Sequence, residues 1–154
     1  MSPARNISYL LNHLAFVLGR QSDQVLFERL GIGISQFKIM MTLQWSPHIQ
    51  QKQIAERLGQ TEASISRQMK LLEESGLLNN TVNPANRREH VIRLTPKGER
   101  VTDEASEILE QYHAPVFDTM DDKQKAVFAE MLHNMHGMAC GSDSPSSCHQ
   151  MFEK

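Results

Sequence analysis

The sequence predicts a mainly α-helical fold carrying one small β-hairpin, an α+β arrangement. Three observations predict it. Apolar residues recur at helical spacing over most of the chain, the period switches to two only between Leu77 and Leu94, and a short small–Gly–apolar register occupies Gln51 to Ile65. At 154 residues the chain fits one domain with room for a real core.

Ile7, Leu10, Leu11, Leu14 and Leu18 form the stripe of a first helix, which Val25, Leu26 and Leu30 extend to Gly31. Gly31-Ile32-Gly33 breaks it, and a second helix runs from Ser35 to about Leu43. After the connector Ser46-Pro47, Gln51 to Leu58 is a short helix with Ile54, Ala55 and Leu58 on one side. Gly59-Gln60 interrupts it, Thr61 caps the next helix, and Ile65, Met69 and Leu72 line that helix until Gly76. Residues 77–82 and 90–94 read as two strands. The turn-rich Asn83 to Glu89 joins them, placing Arg87 and Arg88 at a basic tip. Thr95-Pro96 opens a long helix with Val101, Ala105, Ile108, Leu109 and Tyr112 as its stripe. Pro115 should kink or end that helix, because proline lacks the backbone donor and clashes with the preceding turn. Asp121 and Gln124 have capping-box spacing, and Val127, Phe128, Met131, Leu132 and Met135 line a last helix. The Ser/Pro/Asp-rich stretch from Gly141 reads as a disordered tail.

Composition excludes several classes. No apolar run approaches a bilayer span, the first residues lead into an amphipathic pattern without a signal-peptide core, and the cytoplasm is the default compartment. Cys140 and Cys148 make no disulfide framework. The net charge of −2 hides an asymmetry: from Gln51 to Gly98 eight Lys/Arg face five Glu, whereas the rest carries eight against thirteen acids. The middle third is basic and suits a phosphate-facing surface.

Ala55, Gly59 and Ile65 fall at positions 5, 9 and 15 of a helix-turn-helix starting at Gln51. A small residue lets two helices approach, glycine permits the positive φ of the turn, and Ile65 packs back on the first helix. The second helix then turns Thr61, Ala63, Ser64, Ser66, Arg67 and Lys70 outward. Hydroxyls and a guanidinium fork suit base edges and phosphates of the major groove. Arg87 and Arg88 suit an adjacent narrow minor groove. The bland alternatives are a solvated helix face, preferred for Glu62, Glu73 and Glu74, and a solvated turn.

These residues resemble the MarR family of winged helix-turn-helix regulators. Ile54-Ala55-Glu56-Arg57-Leu58-Gly59 looks like its first motif helix, and Thr61 to Lys70 with Leu71-Leu72-Glu73 and Gly76-Leu77 like its recognition helix. Asn83 to Arg88 with Leu94-Thr95-Pro96-Lys97-Gly98 resembles its wing. The family's two acidic wing positions are Asn83 and Asn86 here, its first arginine is Ala85, and only Arg88 matches directly. That leaves bracing to Arg88 and the groove to Arg87. The resemblance implies a homodimer, with 1–34 and 99–140 as dimerisation helices, 35–98 as the DNA-binding region and 141–154 as the tail. It implies a repressor that binds a palindromic operator in double-stranded DNA and is released by a small aromatic or phenolic effector. His13, Phe16, Phe37, Met40, Met41 and Tyr112 are the candidates to line the effector's space, against a plain reading as core and interface.

No metal or cofactor is expected. His133, His136, Cys140, Cys148 and His149 gather soft donors in a spacing that matches no tight metal signature. A metal-responsive regulator is the alternative they allow, and a winged-helix protein-interaction module is another. No phosphate loop, nucleophile elbow or carboxylate pair points to an enzyme.

Overall fold

The computed structural model describes residues 2–140, with all their side chains except those of Pro3, Ala4 and residues 87–89. The expected fold class is what is found. Six helices and one antiparallel hairpin follow in the order α1 (Pro3–Leu30), α2 (Ile34–Trp45), α3 (Gln51–Leu58), α4 (Glu62–Glu74), β1 (Leu78–Asn83), β2 (Asn86–Leu94), α5 (Pro96–Phe117) and α6 (Asp122–Cys140).

The first helix is one continuous rod of 28 residues, stopped by Gly31 at φ 68°. α2 begins at Ile34, one residue before the expected Ser35. Two side chains explain the shift: Asp23 Oδ1 accepts from the Ile34 amide at 2.8 Å, and Gln36 Oε1 accepts from the Gly33 amide at 3.0 Å. Both satisfy donors that a helix start leaves free. α2 then runs on to Trp45.

The hairpin differs from expectation. Its strands are longer, and the reversal is confined to Pro84-Ala85, because Asn83 Oδ1 accepts from the Ala85 amide at 3.0 Å and closes a tight turn. Arg87 and Arg88 therefore belong to β2, not to a loop at the tip. Pro115 does not end α5, which continues to Phe117 although the proline has no amide to donate to the Gln111 carbonyl. The Asp121–Gln124 capping box forms reciprocally, with bonds of 2.9 and 2.8 Å, and opens α6. Beside it Lys125 Nζ lies 2.8 Å from Asp118 Oδ1, a hydrogen bond that raises the lysine's pKa.

One core holds the molecule together. Leu26 of α1, Phe37, Ile39, Met40 and Leu43 of α2, Ile54 and Ala55 of α3, Ile65, Met69 and Leu72 of α4, Leu78 and Ile92 of the hairpin and Ala105 of α5 are buried in it. A polar rivet joins α1 to α5. Ser22 donates to the Leu18 carbonyl at 2.8 Å, so its oxygen accepts from His113 Nε2 at 2.9 Å. α6 stands apart: none of its residues is buried, and Val127, Met131, Leu132, Met135 and Met138 are exposed. Ile7, Leu10 and Leu14 of α1 and Val116 and Phe117 of α5 are exposed as well.

The tightest approach is at the start of α5. A Cβ on Gly98 would collide with the Leu77 carbonyl. Gly98→Ala is expected to destabilise the protein by about 1–3 kcal/mol, the usual cost of overpacking, measured by urea unfolding. An unchanged midpoint would refute this close packing.

Candidate nucleic-acid interface

α3 and α4 form the helix-turn-helix. Ala55 and Ile65 are both buried at their contact, and Gly59 takes φ 62° in the turn. The Gln60 amide donates to the Ala55 carbonyl at 3.0 Å, closing α3. Gln51 reaches across and donates to the Glu62 carbonyl at 3.4 Å. Thus the steric register read from sequence is the packing that aims α4.

The structure sorts the outward side chains of α4. Thr61 is the cap, its Oγ1 accepting from the Ser64 amide at 3.1 Å. The Ser64 hydroxyl donates to Gln60 Oε1 at 3.2 Å, and Gln60 also bonds Ser35 of α2. Thr61 and Ser64 therefore have structural work that sequence spacing did not reveal. Ala63, Ser66, Arg67 and Lys70 are exposed. Lys70 lies 3.9 Å from Glu74, a solvent-exposed pair that holds it weakly. Arg87 and Arg88 are placed by their backbone in β2, and their side chains lie outside the described residues.

One wall of this surface was missed from sequence. Between the start of α3, the outer face of α4 and the hairpin lies an open cleft of about 650 Å³, lined by Gln51, Lys52, Ser66, Asn80, His90 and Ile92 among others. His90 Nδ1 and Asn80 Oδ1 are 3.1 Å apart across the strands. The signal was available in strand parity: His90 shares a face with buried Ile92, so it turns toward the helices.

The effector candidates do not come together. Phe37 and Met40 are buried in the core and Met41 packs against it, whereas His13, Phe16 and Tyr112 are exposed. Phe16 lies under the Arg20 guanidinium at 5.8 Å, lining an open cleft of about 640 Å³ with Arg20, Asp23 and Ile34. Tyr9 stacks on His13 and Tyr112 meets His113 edge-on. At the end of α6, Cys140 Sγ lies 3.2 Å from His136 Nε2. Among the described residues no three His, Cys, Asp or Glu are placed to hold a metal; Cys148 and His149 lie outside those residues. No described helix is long and apolar enough to cross a membrane.

A family model described as the MarR family matches residues 32–90, the segment from the end of α1 into β2. Solved structures share the fold. A MarR/EmrR family transcriptional regulator from Acinetobacter sp. ADP1 superposes with a TM-score of 0.75 at 21% identity, over 91% of this chain and 99% of that one. A MarR family protein from Bacillus stearothermophilus gives 0.77 at 20% identity, over 90% and 96%. CouR from Rhodococcus jostii RHA1, solved bound to p-coumaroyl-CoA, gives 0.74 at 21% identity, over 90% and 95%. No curated protein sequence matches the chain.

Thr61→Ala should lower unfolding stability by about 1 kcal/mol through the lost cap, while Arg67→Ala, exposed and unbonded to the core, should shift it by under about 0.5 kcal/mol. Paired denaturant melts compare them, and equal losses would contradict this division of labour.

Proposed function

We propose that this chain, whose residues 32–90 match the MarR family model, is a sequence-specific transcriptional regulator that binds a palindromic operator as a homodimer. One observation carries the reading. α4 buries Ile65, Met69 and Leu72 completely or nearly so, and presents Ser66, Arg67 and Lys70 outward from that rigid base. A helix held this way, with donors suited to guanine and phosphate, meets the needs of major-groove recognition. The polar outer face also argues against a protein-interaction module, which would present apolar side chains there.

The dimer reading rests on α6 and its exposed neighbours. An isolated apolar face of this extent is costly in water, and a second copy covers it with two-fold symmetry. Residues 1–34 and 99–140 then supply the assembly and 35–98 the DNA contacts. The regulator works in the cytoplasm, as a repressor released by a small aromatic or phenolic effector. CouR, bound to p-coumaroyl-CoA, supports a small effector in general. His13, Phe16 and Tyr112, exposed on α1 and α5, are the side chains suited to receive it. No catalytic activity is proposed.

Duplexes selected by the protein from a random pool should share a palindrome, and affinity for them should fall steeply with salt as counterions are released. Arg67→Ala should cost about 1–3 kcal/mol of binding and relax one base position per half-site. Absence of binding to every duplex, or a flat salt response, would end this reading. Removing α6 should abolish dimer and operator binding together, read by sedimentation and by titration. A stable dimer lacking α6 would place the interface elsewhere.

A further inference from the structure

The inner face of the hairpin changes character along its length. At the base Leu78 and Ile92 are buried in the core, fixing the hairpin against the helices. One step outward on the same face the pair becomes Asn80 and His90, exposed and bonded to each other. Asn80 opposes Ile92 in the register and Val82 opposes His90, so Asn80 and His90 are diagonal neighbours. Facing them across the cleft are Lys52 and Gln51 of α3 and Ser66 of α4. Among the described side chains no acidic one lines this cleft.

We propose that this cleft seats one backbone phosphate of the bound duplex, with Lys52, Ser66 and the Asn80 amide as its donors and His90 as the residue that positions Asn80. The proposal rests on the regulator reading above and adds residues to it that lie outside the α4 face. A phosphate oxygen only accepts, so a seat must offer donors. The carboxamide of Asn80 carries both kinds of group. Its oxygen is committed to His90 Nδ1, which must then carry the hydrogen, and this turns the amide NH2 group away from the ring as a donor. Without that bond the amide can flip and present its oxygen, which would repel a phosphate. Lys52 supplies the charge. The cleft is open, about 650 Å³ and floored by Ile92, so it admits a length of backbone without enclosing a molecule. It also adjoins Ser66, whose neighbour Arg67 reads the groove in the regulator reading. A phosphate held here would fix how deep α4 sits in the groove, a positioning contact independent of base identity.

The test uses the full chain and an operator selected from a random pool, with single phosphates replaced one at a time by neutral methylphosphonate. Wild type should lose affinity at a particular phosphate in each half-site. Asn80→Ala should weaken binding to the native duplex about tenfold, the range for a hydrogen bond to a charged group, and should lose little more at that phosphate. His90→Leu should match Asn80→Ala, and His90→Gln, which keeps a donor for Asn80, should restore binding. Lys52→Ala should lower the salt slope by about one. All three positions are exposed, and unchanged circular dichroism and sedimentation check that the variants fold and assemble. If wild type binds but Asn80→Ala and His90→Leu bind equally well, or lose as much at every methylphosphonate as wild type does, the seat is wrong and the regulator reading stands. If wild type binds no duplex, the regulator reading itself has failed.

Discussion

Much of this molecule depends on a single junction around the Leu77 carbonyl. α4 ends there, the hairpin both leaves and returns there, and α5 begins there. The turn that closes α4 leaves the carbonyls of Ser75, Gly76 and Leu77 in need of partners, and the start of α5 with its cap provides them. Thr95 Oγ1 donates to the Gly76 carbonyl at 2.7 Å, Lys97 Nζ to the Ser75 carbonyl at 2.9 Å, and the Thr95 amide to Leu77 at 3.0 Å. The same Thr95 hydroxyl caps α5 by accepting from the Gly98 amide at 3.0 Å. Gly98 is what lets the two backbones come so close. The tilt of α4, the root of the hairpin and the direction of α5 are thereby set by one cluster of backbone contacts.

Outward from that junction the side chains of α4 divide according to the chemistry each must satisfy. Ile65, Met69 and Leu72 fill the core, and their burial is the chief stabilising force on the helix. Thr61 and Ser64 serve the turn, where polar groups next to a buried backbone need partners. Arg57 of α3 belongs to the scaffold too, since it donates to Ser46 at 3.1 Å and is half-buried. What is left over for a partner is a narrower set, centred on Ser66 and Arg67. Basic residues in the motif are thus of two kinds, and their charge alone does not separate them.

The helices were legible because most carry an apolar stripe, whether buried in the core or exposed as on α6, and stripes survive as spacing in the sequence. The helix-turn-helix was legible for a similar reason: Ala55, Gly59 and Ile65 answer steric demands that only a few residue types can meet. Features resting on a single side chain's conformation were not. The Asn83 turn that shortens the hairpin loop, and the Gln60 network that engages Ser64, depend on which of several local bonds a polar side chain makes. Phe37 and Met40, named among the effector candidates on the family resemblance, are buried in the core of a helix enclosed by its neighbours. The cleft beside the hairpin joins residues from three elements, and only the parity of His90 with Ile92 hinted at it.

α6 has a consequence for how the protein would behave at different abundances. It is tied to the rest of the chain mainly through the α5–α6 turn and buries no side chain within one copy. In the proposed homodimer its order comes from association, and mass action then governs it: a ligand that binds only the folded form stabilises that form in proportion to the logarithm of its own concentration. Here the ligand is a second identical chain. The melting temperature should climb with protein concentration, and occupancy of a two-fold site should vary more steeply than linearly with the number of chains made. In the proposed regulator, occupancy of the operator would then answer to modest changes in synthesis alone.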